Sequence, residues 1–284
     1  MIKVDNLSFK YGRRKKEILH DFSLNFSEGT VYGLLGKNGT GKSTLLYLMT
    51  GLLTPLKGNV MINGIDVRRR YPITLNEIFL VPEEFNLPSI PLKEYVAINA
   101  PFYPKFSQDL MEDCLKNFEM DTDLNLGALS MGQKKKVFMS FAFATNTSIL
   151  IMDEPTNGLD IPGKSQFRKL IATKMTDDKT IIISTHQVRD IDKIIDHVII
   201  MDSSKVLLNQ STAKISKALL FIESNEAING DKNLYSLPSP QGYSVMMPNE
   251  NDEDSEINLE LLFGGMLTNP DKINNLFHNS NTDK

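Results

Sequence analysis

The chain of 284 residues is 41% apolar and 23% charged, a balance that is typical of a globular protein with a substantial core. Its net charge of −4 gives no indication of a nucleic-acid partner. Its single cysteine, Cys114, excludes an internal disulfide framework and fits a reduced compartment. No uncharged apolar stretch of about 18 residues occurs, so the sequence predicts no bilayer-spanning helix.

The N-terminal segment is predicted to form antiparallel strands. Its apolar residues alternate with polar ones, as expected for strands that bury one face. The alternating apolar positions are Ile2, Val4, Phe9, Tyr11, Phe22, Leu24 and Phe26. A further short strand is predicted at 59–62, before a turn at Asn63 and Gly64.

A glycine-rich string between a strand and a helix is the strongest indication of chemistry. Residues 36–43 read GKNGTGKS, which fits the phosphate-binding pattern G-x-x-x-x-G-K-[ST]. The apolar run 31–35 before it predicts a buried strand, and residues 43–50 after it predict a helix that ends at Gly51. The backbone N–H groups of such a loop and the positive end of the helix dipole attract phosphate oxygens.

The side chains of this loop predict a nucleoside triphosphate with its metal ion. Lys42 is placed to reach the β- and γ-phosphates, and the hydroxyl of Ser43 is a candidate ligand for Mg²⁺. The residues expected to contact the nucleotide are Gly36, Lys37, Asn38, Gly39, Thr40, Gly41, Lys42, Ser43 and Thr44.

Continuous apolar runs, separated by helical patterns, predict a second kind of strand downstream. The runs are 78–81, 149–152, 180–183 and 198–201. Strands of this type form parallel sheets that are buried on both faces. The expected fold class is therefore α/β, with a parallel sheet core and an N-terminal antiparallel β-subdomain. Strand signals are missing between Pro88 and Leu129, where helical spacing over 109–120 predicts a helical insertion.

Two carboxylates end the apolar run 149–152. Asp153 is a candidate ligand for Mg²⁺, and Glu154 is a candidate base that polarises the water attacking the γ-phosphate. The pattern is weak by itself and becomes strong beside a phosphate-binding loop.

The remaining helices are predicted from caps and periodicity. One is expected over 161–175 with Asp160 as its N-cap, and another after His186, whose apolar face would hold Val188, Ile191, Ile194 and Ile195. Residues 211–284 are expected to form a small α+β extension with helices at 257–267 and 271–277. This extension is either a dimerising or regulatory appendage or one that only packs on the main domain.

Further strings follow in a fixed order: residues 129–133 read LSMGQ, 157–160 read NGLD and 184–186 read STH, while Tyr11 precedes the phosphate-binding loop. Together with that loop and the acidic strand end, they resemble the motifs of the nucleotide-binding subunit of an ATP-binding cassette (ABC) transporter. The resemblance covers about residues 1–210 and implies an ABC-type ATPase domain, with the helical subdomain at about 85–135.

The resemblance implies a role for each motif. Tyr11 would stack on adenine, and His186 would contact the γ-phosphate and orient water with Glu154, so that Glu154, His186 and Lys42 are the catalytic residues. Asp160 would couple two sites across an interface. The signature residues would act in trans on ATP held by a second copy or by a related ATPase subunit; they are Ser130, Met131, Gly132 and Gln133.

The same resemblance implies ATP and Mg²⁺ as cofactors and a separate polytopic membrane subunit as partner. The chain is then expected in the cytoplasm, peripheral on the inner face of the cell membrane. The insertion, with PFYPKF at 101–106, resembles those of bacterial efflux systems for antibiotics, peptides or lipids. Residues 83–106 would form much of the groove for the coupling helix of the membrane subunit.

Two positions depart from the family pattern. Glu83 stands where the family usually has glutamine, and we expect it to contact Mg²⁺ together with Ser43 and Asp153. Met131 replaces the first glycine of the signature, and its side chain is expected to point away from phosphate.

Two other functions compete with an exporter ATPase. An ABC ATPase with a mechanical or regulatory role is one, although soluble relatives usually carry two cassettes or long coiled coils. A small-molecule kinase is the other, but it has no use for the signature or for His186. The sequence does not indicate the transported substrate, the direction of transport or the identity of the membrane subunit.

Overall fold

The computed structural model describes residues 1–12, 14–226, 228, 230 and 232–279, so the end of the predicted extension, residues 280–284, lies outside the described residues. The strands are β1 (Ile2–Phe9), β2 (Leu19–Phe26), β3 (Val31–Leu35), β4 (Lys57–Ile62), β5 (Ile65–Asp66), β6 (Ile78–Val81), β7 (Ile149–Asp153), β8 (Thr180–Thr185), β9 (His197–Asp202), β10 (Lys205–Ser211), β11 (Leu219–Ser224), β12 (Tyr235–Ser239) and β13 (Gly242–Pro248). The helices are α1 (Lys42–Met49), α2 (Pro72–Leu75), α3 (Leu92–Asn99), α4 (Gln108–Asn117), α5 (Met131–Ala144), α6 (Ile161–Lys174), α7 (Thr212–Ala218), α8 (Leu259–Thr268) and α9 (Pro270–Asn279).

The N-terminal strands form an antiparallel sheet in the order β2-β1-β4-β5. The predicted alternation is confirmed, since Phe22, Leu24 and Phe26 are buried on one face of β2. Tyr11 is the exception, because it lies in a bend beyond the end of β1. The turn between β4 and β5 has left-handed backbone at Asn63 (φ 48) and Gly64 (φ 80), as a two-residue hairpin turn requires.

The central sheet has the order β10-β9-β3-β8-β7-β6, and all pairs from β9 to β6 are parallel. Both faces are buried, as the continuous apolar runs predict. On one face Leu34 and Ile182 pack with the residues of α1 and the N-terminal sheet, and on the other Leu35 and Ile181 pack with α5, α6 and the extension. The carboxyl ends of β3, β7 and β8 therefore meet at one edge, where the predicted site residues follow them.

The prediction of a helix after His186 is wrong. A short 3₁₀ turn, Val188–Asp190, stands there, although Ile191 and Ile195 are buried as predicted. A helix advances about 1.5 Å per residue against about 3.3 Å in a strand. The connection from β8 to β9 is short and must run back along the length of the strands. It therefore has too few residues to form an α-helix with a loop at each end.

The insertion contains α3 and α4, and α5 begins in it and continues to Ala144. Asp160 caps α6 as predicted, because its Oδ1 accepts from the N–H of Gly163 at 2.9 Å. No helix within the described ranges is long and apolar enough to cross a bilayer.

The C-terminal extension combines α7 with an antiparallel sheet of order β11-β13-β12, followed by α8 and α9. Its α+β class and its two closing helices are confirmed, with bounds that shift slightly. Buried residues of the extension, among them Ile215 and Leu262, belong to the same core as Val198 and Ile200 of β9. The side-chain Nδ2 of Asn274 in α9 also donates to the carbonyl of Leu207 at the bulge in β10.

Candidate functional site

The phosphate-binding loop joins β3 to α1. Gly41, which precedes α1, has a φ of 102°, and a Cβ there would lie 2.9 Å from Cγ2 of Ile18, so only glycine fits. The Lys42 Nζ donates to the carbonyls of Gly36 (2.8 Å) and Lys37 (3.2 Å). Burial lowers the pKa of Lys42, and the nearby carboxylate of Glu154 acts in the opposite direction. The loop thus holds a buried cation at the start of a helix, which suits a polyphosphate.

Asp153 is the last residue of β7 and is almost completely buried. Its Oδ1 accepts a short hydrogen bond from the Ser184 hydroxyl, and its Oδ2 is buried without a hydrogen-bond partner among the described residues. Burial raises the pKa of Asp153, and the hydroxyls of Ser184 and Ser43 act in the opposite direction. A buried carboxylate oxygen without a hydrogen-bond donor is suited to a divalent cation.

Glu154 follows Asp153 in a strained conformation and is only 4% exposed. Its φ of 46° is uncommon for a residue other than glycine, and such strain clusters at functional sites. The Thr185 hydroxyl donates to Oε2 at 2.9 Å, and the His186 backbone N–H donates to Oε1 at 3.0 Å. The Nδ1 of His186 lies 2.7 Å from the same Oε1. Three polar contacts from Thr185 and His186, at the end of β8 and just after it, therefore hold the carboxylate.

One cleft of about 340 Å³ brings most of the predicted nucleotide contacts together. This phosphate cleft is lined by Tyr11, Ile18, Asn38, Gly39, Gly41, Lys42, Ser43, Thr44, Glu83 and Glu154. The Tyr11 hydroxyl lies 3.2 Å from Oγ1 of Thr44, which ties the aromatic residue to the first turn of α1. Thr40 stabilises the loop from within, because its Oγ1 donates to the carbonyl of Lys37 at 2.8 Å.

Glu83 lines the phosphate cleft from the loop after β6. Its Oε1 accepts from Nδ2 of Asn157 at 2.9 Å. The side chain also borders a second space of about 570 Å³, the signature recess, which is lined by Glu83, Glu84, Phe85, Asn86, Met131, Lys135, Asn157 and Gly158.

The four signature residues do not line the phosphate cleft of their own chain. Ser130 caps α5: its Oγ accepts from the N–H of Gln133 (3.3 Å), and the Gln133 Oε1 accepts from the N–H of Ser130 (3.0 Å). The helix therefore begins at Met131. Gly132 lies against the loop after β7, since a Cβ there would be 3.1 Å from the carbonyl of Gly158.

Comparison with known proteins identifies the family. Residues 19–157 match the family model described as ABC transporter. The SkfA peptide export ATP-binding protein SkfE of Bacillus subtilis is 30% identical over 73% of this chain and 87% of its own length. The ABC transporter ATP-binding protein YtrB of Bacillus subtilis is 24% identical over 86% of each chain.

The chain belongs to the ABC transporter ATP-binding family. It is an ATP-binding and ATP-hydrolysing subunit of an ABC transporter. A dimeric ATP-binding cassette, solved in a post-hydrolysis state with ADP and Pi, has a TM-score of 0.64 and 25% identity, and the match covers 74% of this chain and 98% of that one.

Several polar residues of this ABC cassette were missed by sequence reasoning. Thr185 and Ser184 were read only as part of a motif, yet each binds one of the two acids at the end of β7. Lys135 is buried, and its Nζ donates to the carbonyls of Glu154 (3.0 Å) and Asn157 (2.9 Å). Its helical spacing from the apolar residues Met139 and Ala142 was the available signal.

Proposed function

We propose that the chain hydrolyses ATP in the phosphate cleft, with Glu154 as the base for the attacking water. The observation that carries this proposal is the buried Glu154 carboxylate, held by Thr185 and His186 at the same cleft as Lys42. The phosphate-binding loop would hold the β- and γ-phosphates, and Tyr11 would contact the adenine.

A magnesium ion would be held by Ser43 and Asp153, with Glu83 as a further contact. The Oδ2 of Asp153, which is buried and has no hydrogen-bond partner within the part of the chain that the structure describes, supports this assignment. When bound, Mg²⁺ neutralises charge on the β- and γ-phosphate oxygens. Without the ion, the carboxylate of Glu83 would repel the γ-phosphate, so productive ATP binding should depend on Mg²⁺.

Glu154 would take a proton from water on a carboxylate oxygen, and its neighbours hold that carboxylate in place. Donors from Thr185 and from the His186 backbone fix its two oxygens at the cleft. A carboxylate only accepts hydrogen bonds, so Nδ1 of His186 carries the proton toward it. His186 would contact the γ-phosphate through its other ring nitrogen, Nε2.

The signature would act on ATP bound by another ATPase subunit, either a second copy or a related chain. This is supported by the position of the four signature residues outside the phosphate cleft and by the dimeric state of the solved cassette described above. Asp160 would lie at the contact between the two subunits. Two ATP molecules would then be sandwiched in the closed dimer.

A separate polytopic membrane subunit would be driven by closure and opening of this dimer, with the ATPase peripheral on the inner face of the cell membrane. An apolar groove supports such docking: exposed Leu52 and Phe102 flank a space of about 600 Å³ that Pro82, Tyr103 and Phe138 also line. Exposed apolar surface of this kind is typical of interaction sites. Export is the proposed direction, by analogy with the peptide export protein SkfE.

Residues 1–210 would form the ABC domain, with its helical subdomain at about 85–135, and residues 211–284 an extension that packs on it. The core that Ile215 and Leu262 share with β9 supports packing as its first role. A dimerising or regulatory role would be additional to this packing.

The test is phosphate release from ATP by purified protein without any acceptor, in the wild type and in Glu154→Gln. We expect the variant to lose about 10²–10⁴-fold in kcat while it still binds ATP, because the amide cannot take the proton. Glu84→Gln is the matched control, because Glu84 is a neighbouring exposed acid that lies outside the phosphate cleft. A Glu154→Gln rate close to wild type would remove Glu154 as the base.

The Glu154→Gln variant also tests whether the chain binds a membrane subunit. Tagged Glu154→Gln protein is recovered from native membranes with and without ATP, and the proteins that accompany it are identified. Recovery of a polytopic membrane protein at matching stoichiometry, dependent on ATP, is expected. Recovery of ribosomes or of a soluble complex alone would contradict a transport role.

A further inference from the structure

Asn157, in the loop after β7, is hydrogen-bonded through all four of its polar groups. Its Nδ2 donates to Oε1 of Glu83 (2.9 Å), and its Oδ1 accepts from Nε2 of Gln187 (3.0 Å). Its carbonyl accepts from Nζ of Lys135 (2.9 Å), and its backbone N–H donates to the carbonyl of Glu154 (3.2 Å). This half-buried residue therefore connects four separate parts of the chain.

Each partner lies on a segment that reaches the site. Glu83 follows β6 and lines the phosphate cleft. Gln187 is the residue after His186, whose Nδ1 is 2.7 Å from Glu154. Lys135 lies in α5, the helix that the signature begins, and also donates to the carbonyl of Glu154 at 3.0 Å. A displacement of Asn157 would therefore shift the backbone of Glu154 and the loop that carries His186.

The chemistry of the two side-chain bonds requires an amide at position 157. The carboxylate of Glu83 only accepts, so the atom facing it must donate. On the other side, Gln187 uses its Oε1 to accept from Nζ of Lys164 at 3.1 Å, so its amide nitrogen faces Asn157 and needs an acceptor. A carboxylate at 157 would satisfy Gln187 but repel Glu83, and an apolar residue would satisfy neither.

We propose that Asn157 is a positioning residue for ATP hydrolysis. It holds the loop after β6 and the loop after β8 in fixed positions relative to Glu154. The inference rests on the proposed role of Glu154 as the base. Asn157 lies outside the phosphate cleft, so it acts on catalysis through its partners. The bonds to its carbonyl and its N–H also help to hold Glu154 at its uncommon φ of 46°.

A double-mutant cycle between positions 157 and 83 tests the proposal. ATP hydrolysis is measured at saturating Mg²⁺ for the wild type, Asn157→Asp, Glu83→Gln and the double variant. In the wild-type background, Asn157→Asp should lower kcat roughly 10-fold or more and change KM for ATP less than about 3-fold, because geometry is lost while the nucleotide contacts remain.

In the Glu83→Gln background, the same substitution should cost less than about 3-fold in kcat, because the new amide can donate to the new carboxylate. A role confined to folding would instead appear as matching changes in Tm, which thermal unfolding of the same four proteins measures. Asn25→Asp is the matched control, because it adds the same charge at an exposed position of β2 that lies outside the network, and its kcat should stay within about 2-fold of wild type. Equal losses from Asn157→Asp in both backgrounds would overturn the proposal.

Gln187→Met supplies a second test that keeps Asn157 itself intact. It removes the donor to Oδ1, and we expect a kcat reduced several-fold with KM for ATP unchanged. A wild-type kcat for this variant would overturn the proposal, even if Asn157→Asp failed to fold. Wild-type protein that released no phosphate would contradict the proposed function itself, whereas an active wild type with uncoupled substitutions would contradict only the role of Asn157.

Discussion

The two neighbouring acids at the end of β7, Asp153 and Glu154, show how different surroundings suit similar residues to different tasks. Glu154 receives donors from Thr185 and His186, and these donors hold its carboxylate in place. Asp153 is buried more deeply, with one oxygen bonded to Ser184 and the other without a partner among the described residues. The first arrangement suits a base that must exchange a proton, and the second suits a ligand for a cation.

The buried charge of Asp153 should destabilise the protein when no metal is bound. Its pKa is raised by burial in the folded state above its value in the unfolded chain. The penalty is therefore fully present at neutral pH and is lost as the pH falls through the raised pKa of Asp153. We expect Asp153→Asn to raise Tm at pH 7 without Mg²⁺, by roughly 2–4 °C for each kcal/mol of stabilisation, while it impairs hydrolysis.

Thermal unfolding by circular dichroism at several pH values checks this expectation. The advantage of Asp153→Asn should shrink as the solution is acidified. Asp178→Asn is the control with the opposite sign, because the hydroxyl of Thr176 lowers the pKa of that exposed carboxyl. If Asp153→Asn were less stable than wild type at pH 7, burial of this charge would not be the dominant effect.

At the scale of elements, an aromatic cluster joins α5 to the insertion. Phe141 is almost fully buried, and its ring lies 5.3 Å from that of Tyr95, 5.4 Å from Phe106 and 5.8 Å from Phe79. These rings come from α3, from the loop before α4 and from β6, so the helix that carries the signature is fixed to both the insertion and the sheet.

Phe141→Ala should lower the free energy of unfolding by about 3–5 kcal/mol, because it leaves a cavity among rings that cannot collapse into it. Urea unfolding followed by circular dichroism measures the loss. Phe102→Ala is the matched control, since that phenylalanine is 66% exposed, and it should change stability by about 0.5 kcal/mol or less. Similar losses for both variants would mean that the cluster does not act as a core.

At the scale of the whole molecule, the extension and the ABC domain share one core. Ile215 of α7 and Phe221 of β11 belong to the same buried cluster as Leu170 of α6 and Val198 of β9. The ion pair between Arg189 and Glu260 adds little to this packing, because solvent screens exposed pairs. Apolar packing therefore joins the extension to the segment that follows His186.

A shared core predicts one cooperative unfolding transition for the full chain. Ile215→Ala should lower the midpoint of that whole transition, with a cost of about 2–5 kcal/mol, when it is followed both by circular dichroism and by loss of ATP binding. Ile161→Ala, at a residue that is 85% exposed, is the control and should leave the midpoint almost unchanged. Two separate transitions, with only one shifted, would show that the extension folds as an independent unit.

The sequence by itself determined the class of fold and the family. Local patterns suffice for both. These patterns are a glycine-rich loop between a strand and a helix, continuous apolar runs and motifs in fixed order. Each of them depends on neighbours within a few residues. The strands β3, β6, β7, β8 and β9 and the cap of α6 follow from such patterns.

Only the tertiary structure decided how the motifs cooperate. The connection after His186 is a 3₁₀ turn because its length must match the return along the sheet. The strands β10, β12 and β13 were not predicted, because they are half-buried, and β12 contains Pro238, which weakens the strand signal. Lys135, Asn157 and Gln187 acquire meaning only where β6, β7, β8 and α5 bring them within hydrogen-bond distance, since distant segments set these contacts.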